Sequence, residues 1–150
     1  MAKTGKSDVV VEQLSDLLAN SYTLYLKTQN FHWNVTGPMF TTLHGLFMTQ
    51  YTELATAIDE IAERIRALNA FAPGSFSQFK QRSSIREETG HPSAKDMIRA
   101  LEADQAVIVA LSHKLFAAAD AAKDQATADL ATRRQTAHEK NAWMLRSHLE

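Results

Sequence analysis

Helix-breaking residues are few and divide this chain into four long stretches with helical periodicity. The 150 residues include only 5 glycines and 3 prolines, and most of these fall into three short clusters. Between the clusters, apolar residues recur at the spacing of a helix face. The predicted helices run from Asp8 to the break at Thr36-Gly37-Pro38, from about Phe40 to Asn69, from Ser93 to about Ala122, and from near Thr127 to the C-terminus.

The connection between the second and third helices is the longest one. It spans roughly twenty residues, more than a usual helix–helix loop, and it contains a predicted short helix from Phe76 to Arg82. A connection of this length can cross from one end of a bundle to the other. The sequence therefore predicts an all-α, ferritin-like four-helix bundle with a short helix in the long crossover between helices two and three. It forms one domain over residues 8–150, after a flexible N-terminal tail over residues 1–7.

The second helix carries two separate stripes. The first is about 80° wide and is typical of a core face; it consists of Leu43, Phe47, Leu54, Ile58, Ile61, Ile65 and Leu68. The second stripe lies about 120° away. It consists of His44, Asp59 and Glu63, interspersed with Met48, Tyr51, Ala55 and Ala62. A face exposed only to water would not carry these apolar residues, so we expect a partner surface with metal-binding groups.

The ligand-type residues fall into two half-sites. Asp59 and Glu63 are i, i+4 neighbours on one helix face. His32 and His44 flank the break at Gly37-Pro38, so a reversal there places them side by side. His44 and Asp59 lie about 22 Å apart along a continuous helix. One chain cannot close such a site, but two-fold pairing of the second helix with its copy would, giving two equal sites in a homo-oligomer.

The residue types limit which metal the site would hold. Imidazole and carboxylate without thiolate suit iron, with zinc or manganese as competitors. A site with few protein ligands leaves positions open for dioxygen or peroxide, as an oxidising centre requires.

Composition excludes several other classes of protein. There are no cysteines, which rules out disulfides and thiolate metal sites and suits a reducing cytoplasm. The net charge of −1 provides no global basic field for nucleic acid. No stretch has the pattern of a membrane span or a secretory signal. We therefore predict a cytoplasmic protein, with nucleoid association left open.

The motifs around the candidate ligands resemble those of the Dps family of mini-ferritins. The residues that carry the likeness are Asn30-Phe31-His32-Trp33-Asn34-Val35-Thr36-Gly37-Pro38, Leu43-His44 and Asp59-Glu60-Ile61-Ala62-Glu63-Arg64. The spacing His-x11-His-x14-Asp-x3-Glu is long and has several parts. Segments 124–130 and 143–146 are also similar to the last turn and last helix of the family.

The resemblance implies a function and an assembly. The family forms a hollow dodecamer that oxidises Fe²⁺, preferentially with hydrogen peroxide, at ferroxidase centres on two-fold interfaces, and stores ferric mineral. Such a protein protects against oxidative stress. By this resemblance, His32, His44, Asp59 and Glu63 would be catalytic iron ligands, and Trp33 would be the neighbouring aromatic residue. The residues expected to line the pore for incoming iron are Asp120, Asp124 and Asp129.

The chain departs from the family pattern at two points. Met48 stands where many relatives carry an acidic residue for the second iron, and Gly45 replaces a common glutamate. We therefore expect one tight iron position and a weak second one. Family DNA binding usually needs a lysine-rich tail, and here the tail offers only Lys3 and Lys6. Weak contacts in twelve copies could add up by avidity.

Alternative interpretations remain open from the sequence. Singly, each histidine is typical of a packed or capping residue, and Asp59 with Glu63 of a solvated helix face; only their joint spacing favours a metal. The three pore aspartates could be helix-terminal charges. The protein could be mainly a structural, DNA-compacting shell with a degenerate metal site, or could hold zinc or manganese without redox chemistry. Histidines without a convincing partner in the sequence are His91, His113, His138 and His148.

Overall fold

The computed structural model describes residues 5–150, which contain five helices and no strand. The helices are α1 (Lys6–Asn34), α2 (Phe40–Ala67), α3 (Phe76–Arg82), α4 (Ala94–Ala121) and α5 (Gln125–Arg146). The predicted helices are confirmed in number and order, and α3 has the predicted bounds. None of these five helices is long and apolar enough to cross a membrane.

The start of α1 differs from the prediction. Asp8 is in the first turn of the helix, where its carboxylate accepts a hydrogen bond of 2.8 Å from the backbone N–H of Gly5. The helix begins at Lys6, so Lys6 and Ser7 are helical, although the sequence predicted them to be part of the N-terminal tail. Asp8 pairs with a backbone N–H that precedes it, as an acidic residue at the third helical position does in a capping box. Ser93, the predicted start of the third long helix, is the N-cap of α4, and its hydroxyl accepts a hydrogen bond from the backbone N–H of Asp96.

The directions of the helices follow from contacts between them. Three ion pairs join α2 to α5 or its N-cap: Glu53 with Arg134, Glu60 with Arg133, and Arg64 with Asp124. Because the residue numbers rise along α2 while those of the partners fall, the two helices are antiparallel. Short connections make α1 antiparallel to α2, and α4 antiparallel to α5. Consequently α2 and α4 run in the same direction. Residues 68–93 must then traverse the length of the bundle, which confirms the predicted crossover.

One face of α1 holds the crossover in place. The buried Asn20 accepts hydrogen bonds from the backbone N–H groups of Ser84 and Ile85 at 2.9 and 3.0 Å. Further along α1, Lys27 donates to the carbonyl of Arg86, and Asn30 donates to the carbonyl of Glu88. A crossing segment without helical hydrogen bonds needs such partners for its backbone. These polar side chains on α1 thus set the path of the crossover.

The core lies between the four long helices. Each of them contributes fully buried apolar side chains, and α3 adds Phe79 from the crossover. Phe31 of α1 and Phe47 of α2 pack together with ring centroids 6.5 Å apart. This contact lies directly below the turn between α1 and α2, so it supports the end of the bundle where the candidate histidines lie.

Candidate metal centre

His32 and His44 lie face to face where α1 turns into α2. Their ring centroids are 3.7 Å apart and the ring planes differ by 13°. The reversal between them contains Gly37 at a φ of 103°, a backbone conformation that a side chain disfavours. This turn brings the last turn of α1 beside the first turns of α2. The predicted meeting of the two histidines is confirmed.

The two histidines also donate hydrogen bonds to each other's backbone. Nδ1 of His32 lies 2.6 Å from the carbonyl oxygen of His44, and Nδ1 of His44 lies 2.7 Å from the carbonyl oxygen of His32. A carbonyl oxygen can only accept, so each Nδ1 carries a proton and each neutral ring keeps its lone pair on Nε2. The reciprocal bonds therefore hold both rings in a tautomer that can bind a metal ion through Nε2.

The stacking of the rings determines how they can bind metal. The lone pair of an imidazole nitrogen lies in the plane of its ring, and these two planes are nearly parallel. A single ion could therefore not lie in the planes of both rings. The pair would hold two neighbouring ions, one for each histidine, rather than one shared ion. Two-metal sites have ions about 3.5–4 Å apart.

Aromatic side chains surround the histidine pair. Phe40 stacks on His44 with centroids 5.1 Å apart, and Tyr51 meets His32 edge-on at 5.2 Å. His32 is only 7% exposed. Trp33, the predicted neighbouring aromatic residue, is 60% exposed, so it lies on the surface beside the pair. Its role beside an iron centre stays a prediction.

Asp59 and Glu63 lie on the exposed side of α2. Neither carboxylate has a hydrogen-bond or ion-pair partner among residues 5–150, although charged neighbours surround them in the sequence. Glu60 pairs with Arg133 at 2.6 Å, and Arg64 pairs with Asp124 at 2.8 Å. Arg64 and Arg133 are thus paired with other carboxylates, and Asp59 and Glu63 have no cationic partner among residues 5–150.

The two half-sites remain apart within one chain. Residues 5–150 contain no group of three or more His, Cys, Asp or Glu side chains that could hold a metal ion. The reason is the continuity of α2, which runs unbroken from Phe40 to Ala67 and separates His44 from Asp59 by about 22 Å. Within the described residues, the histidine pair and the carboxylate pair therefore do not form one ligand set.

The three acidic residues predicted for a pore have different environments. Asp124 is the N-cap of α5, accepts from the backbone and hydroxyl of Thr127, and pairs with Arg64. Burial alone would raise the pKa of Asp124, but the bonds from Thr127 and the charge of Arg64 outweigh burial and hold that pKa below its usual value. Asp129 pairs with Arg133 at 2.9 Å. Of these three aspartates, Asp120 alone has no cationic partner within the described residues.

The candidate DNA-contacting lysines are divided by the start of the helix. Lys6 is exposed in the first turn of α1. Lys3 lies outside the described residues 5–150. Their contribution to DNA binding stays a prediction.

A buried polar network was not evident from the sequence. His138, for which we found no partner, is fully buried and bonded through Nδ1 to Gln105 of α4, while Arg134 donates to its Nε2. Arg134 is itself buried and forms a bidentate pair with Glu53 of α2. Burial first, and then the charge of Arg134, lowers the pKa of His138 to about 3. The only sign of this network in the sequence is the i, i+4 spacing of Arg134 and His138 on a predicted helix.

The bundle, its long crossover and the histidine pair define a ferritin-like four-helix protein. Comparisons with known proteins agree. Residues 11–150 match the ferritin family, described as a ferritin-like domain. The DNA protection during starvation protein of Brevibacillus brevis is 37% identical over 99% of both chains.

Solved structures extend this likeness. The chain is similar to a Dps protein from Bacillus brevis, with a TM-score of 0.95 and 37% identity over 99% of each chain. It is also similar to a Dps protein from Vibrio cholerae O1, described as a member of a broad superfamily of ferritin-like diiron-carboxylate proteins, with a TM-score of 0.93 and 31% identity over 99% of this chain and 93% of the other. The chain therefore belongs to the Dps family.

Proposed function

We propose that this chain is a ferroxidase and iron store, in which His32 and His44 of one copy face Asp59 and Glu63 of a second copy. The observation that carries the proposal is the reciprocal histidine pair, which leaves two Nε2 lone pairs. The unpaired carboxylates on the same α2 provide the complementary negative charge. Imidazole nitrogen and carboxylate oxygen without thiolate form a donor set that fits ferrous iron.

Each group has a definite task in the proposed reaction. The histidines bind ferrous substrate as neutral ligands, and the carboxylates offset its positive charge and favour the more highly charged ferric product. Two Fe²⁺ ions each lose one electron, and hydrogen peroxide accepts both electrons with two protons to give two waters. Dioxygen is the alternative oxidant. The stacked rings, suited to two neighbouring ions, match this two-electron requirement.

The second iron position is the weaker one in this proposal. Its neighbour one turn along α2 is Met48, a thioether that neither offsets charge nor suits a hard ion. We expect one tightly bound Fe²⁺ per centre and a second that binds more weakly. Anaerobic titration with Fe²⁺ measures this directly, and two equally tight ions per centre would contradict it.

Storage requires a hollow assembly and a route for iron into it. We propose a homo-dodecamer with the centres at its two-fold interfaces, as the resemblance implies. Of the three pore candidates, Asp120 is the strongest, because Arg64 and Arg133 already offset the charges of Asp124 and Asp129. Replacing Asp120 with Asn should slow iron uptake most at low ionic strength, where exposed charges are least screened.

The direct test replaces both histidines together. The His32→Ala, His44→Ala variant should lose fast formation of ferric absorbance after Fe²⁺ and peroxide are added, while its oligomer size by light scattering stays the same. The matched control is His113→Ala, which removes an exposed histidine of α4. Oxidation at the original rate in the double variant would refute the proposed site. Tight zinc or manganese binding without oxidation would favour a site without redox function.

A second candidate function is DNA binding by a structural shell with a weak metal site. The observation in its favour is the name of the Brevibacillus brevis relative, a DNA protection during starvation protein. Such a function would place this chain in the cytoplasm at the nucleoid. A gel shift that depends on residues 1–7 and weakens with salt would support it, since phosphate contacts are strongly salt-dependent. No shift even at low salt would refute it.

A further inference from the structure

Met48 lies one helical turn after His44, on the same face of α2. Residues at i and i+4 are neighbours on a helix, with Cβ atoms about 5–6 Å apart. Met48 is 48% exposed and takes no part in the core cluster. Its thioether is therefore not committed to the core of its own chain, unlike that of Met39, which packs partly buried against the core.

The donors at this position are a nitrogen and a sulfur. Nδ1 of His44 is committed to the carbonyl oxygen of His32, so the ring presents the lone pair of Nε2. Soft thioether sulfur selects Cu⁺, whereas Mn²⁺ and Mg²⁺ suit carboxylate oxygen, and Fe²⁺ suits imidazole together with carboxylate. The nearly parallel rings also direct His44 to an ion of its own rather than to one shared with His32.

We infer that His44 Nε2 and Met48 Sδ form a site for monovalent copper at the second position of the centre. The inference deepens the proposed function, since it rests on the same histidine pair and assigns its weaker position. Cu⁺ has a filled d shell and no preferred coordination geometry, so two or three ligands are sufficient. Phe40, stacked on His44 with ring centroids 5.1 Å apart, covers one face of that ring and leaves its edge, with Nε2, uncovered by this contact.

The test is an anaerobic titration of the purified oligomer with Cu⁺ against a chromophoric Cu⁺ chelator, with no iron present. Three proteins are compared: the wild type, Met48→Leu, and the control Met39→Leu. Met48→Leu should bind Cu⁺ at least about tenfold more weakly, while Met39→Leu should match the wild type. X-ray absorption of the copper-loaded protein should detect a sulfur neighbour in the wild type but not in Met48→Leu.

A second variant excludes a trivial loss of structure. Met48→Glu should also lose Cu⁺ affinity, but it should bind the second Fe²⁺ more tightly, because a carboxylate replaces the thioether. Equal Cu⁺ affinity in the wild type and Met48→Leu, or an equal loss in Met39→Leu, would overturn the inference. Because copper binding is measured without iron, a protein that fails to oxidise Fe²⁺ can still pass this test. Conversely, a protein that oxidises Fe²⁺ can fail the copper test, so the two proposals are tested separately.

Discussion

Mixed oligomers test whether two copies of the chain build each metal centre. One variant lacks the histidine half, as His32→Ala with His44→Ala. The other lacks the carboxylate half, as Asp59→Asn with Glu63→Gln. The carboxylate replacements keep side-chain shape and lie on the exposed face of α2, so folding should be unaffected. Each variant alone should be inactive, since every centre lacks one half.

The expected recovery follows from the separation of the half-sites. In an equal mixture, the histidine half of a centre is intact in half of the cases, and so is the carboxylate half. If the two halves come from different copies, about a quarter of the centres are complete. If one chain supplied all ligands, no centre would be complete. A mixture of wild type with the histidine variant should keep about half of the activity, which calibrates the assay.

The assay requires subunits that mix before they assemble. The two variants are co-expressed with different affinity tags, and oligomers that carry both tags are purified in two steps. Ferric absorbance after addition of Fe²⁺ and peroxide then gives the fraction of active centres. A doubly tagged oligomer of wild-type size with no activity would refute the two-copy centre.

Three further predictions concern stability, measured by urea unfolding at fixed protein concentration. Asn20→Ala leaves the buried N–H of Ile85 and its neighbour unpaired and should cost about 2–4 kcal/mol. Arg134→Met leaves Nε2 of the buried His138 without its donor, while Glu53 stays hydrated at 47% exposure, and it should cost about 1–3 kcal/mol; Arg99→Ala, at an exposed pair, should cost less than about 1 kcal/mol. The folded-state pKa of His138, about 3, lies below the 6.5 of the unfolded chain. The unfolded state therefore takes up the proton first, and stability should fall by about 2 kcal/mol between pH 6.5 and pH 5 through this residue.

Each stability prediction has an outcome that would contradict it. An Asn20→Ala protein as stable as the wild type would mean that the crossover does not depend on these bonds. Equal losses in the Arg134 and Arg99 variants would contradict the role of burial. His138→Gln should remove the pH-dependent loss assigned to His138; an unchanged difference between pH 6.5 and pH 5 would refute that assignment.

Local signals in the sequence were sufficient for the helices and for the placement of the candidate ligands along them. Glycine and proline clusters mark the breaks because they disfavour helix wherever they occur. Ser93 at the start of α4 is recognisable because a cap bonds within its own turn. The two half-sites were predictable for a similar reason: helix rise and a single reversal convert sequence spacing into distance. Such inferences need no knowledge of distant contacts.

Only the tertiary structure decided which polar groups are already occupied. Asp124 was expected at a pore, yet it caps α5 and pairs with Arg64, 60 positions away. His138 had no visible partner because Gln105 lies 33 positions away on α4. Likewise, Asn20 contacts a crossover 64 to 65 positions further on. These partners depend on how helices pack and not on local spacing.

The histidine pair shows, within one site, which features the sequence determined and which depended on the tertiary structure. The sequence by itself determined that His32 and His44 meet, because the turn between them is short and strongly marked. It did not determine that each ring bonds to the other's backbone, nor that the rings stack in parallel. Those features depend on the packing of α1 against α2, and they fix the proton of each ring on Nδ1 and leave the lone pair on Nε2.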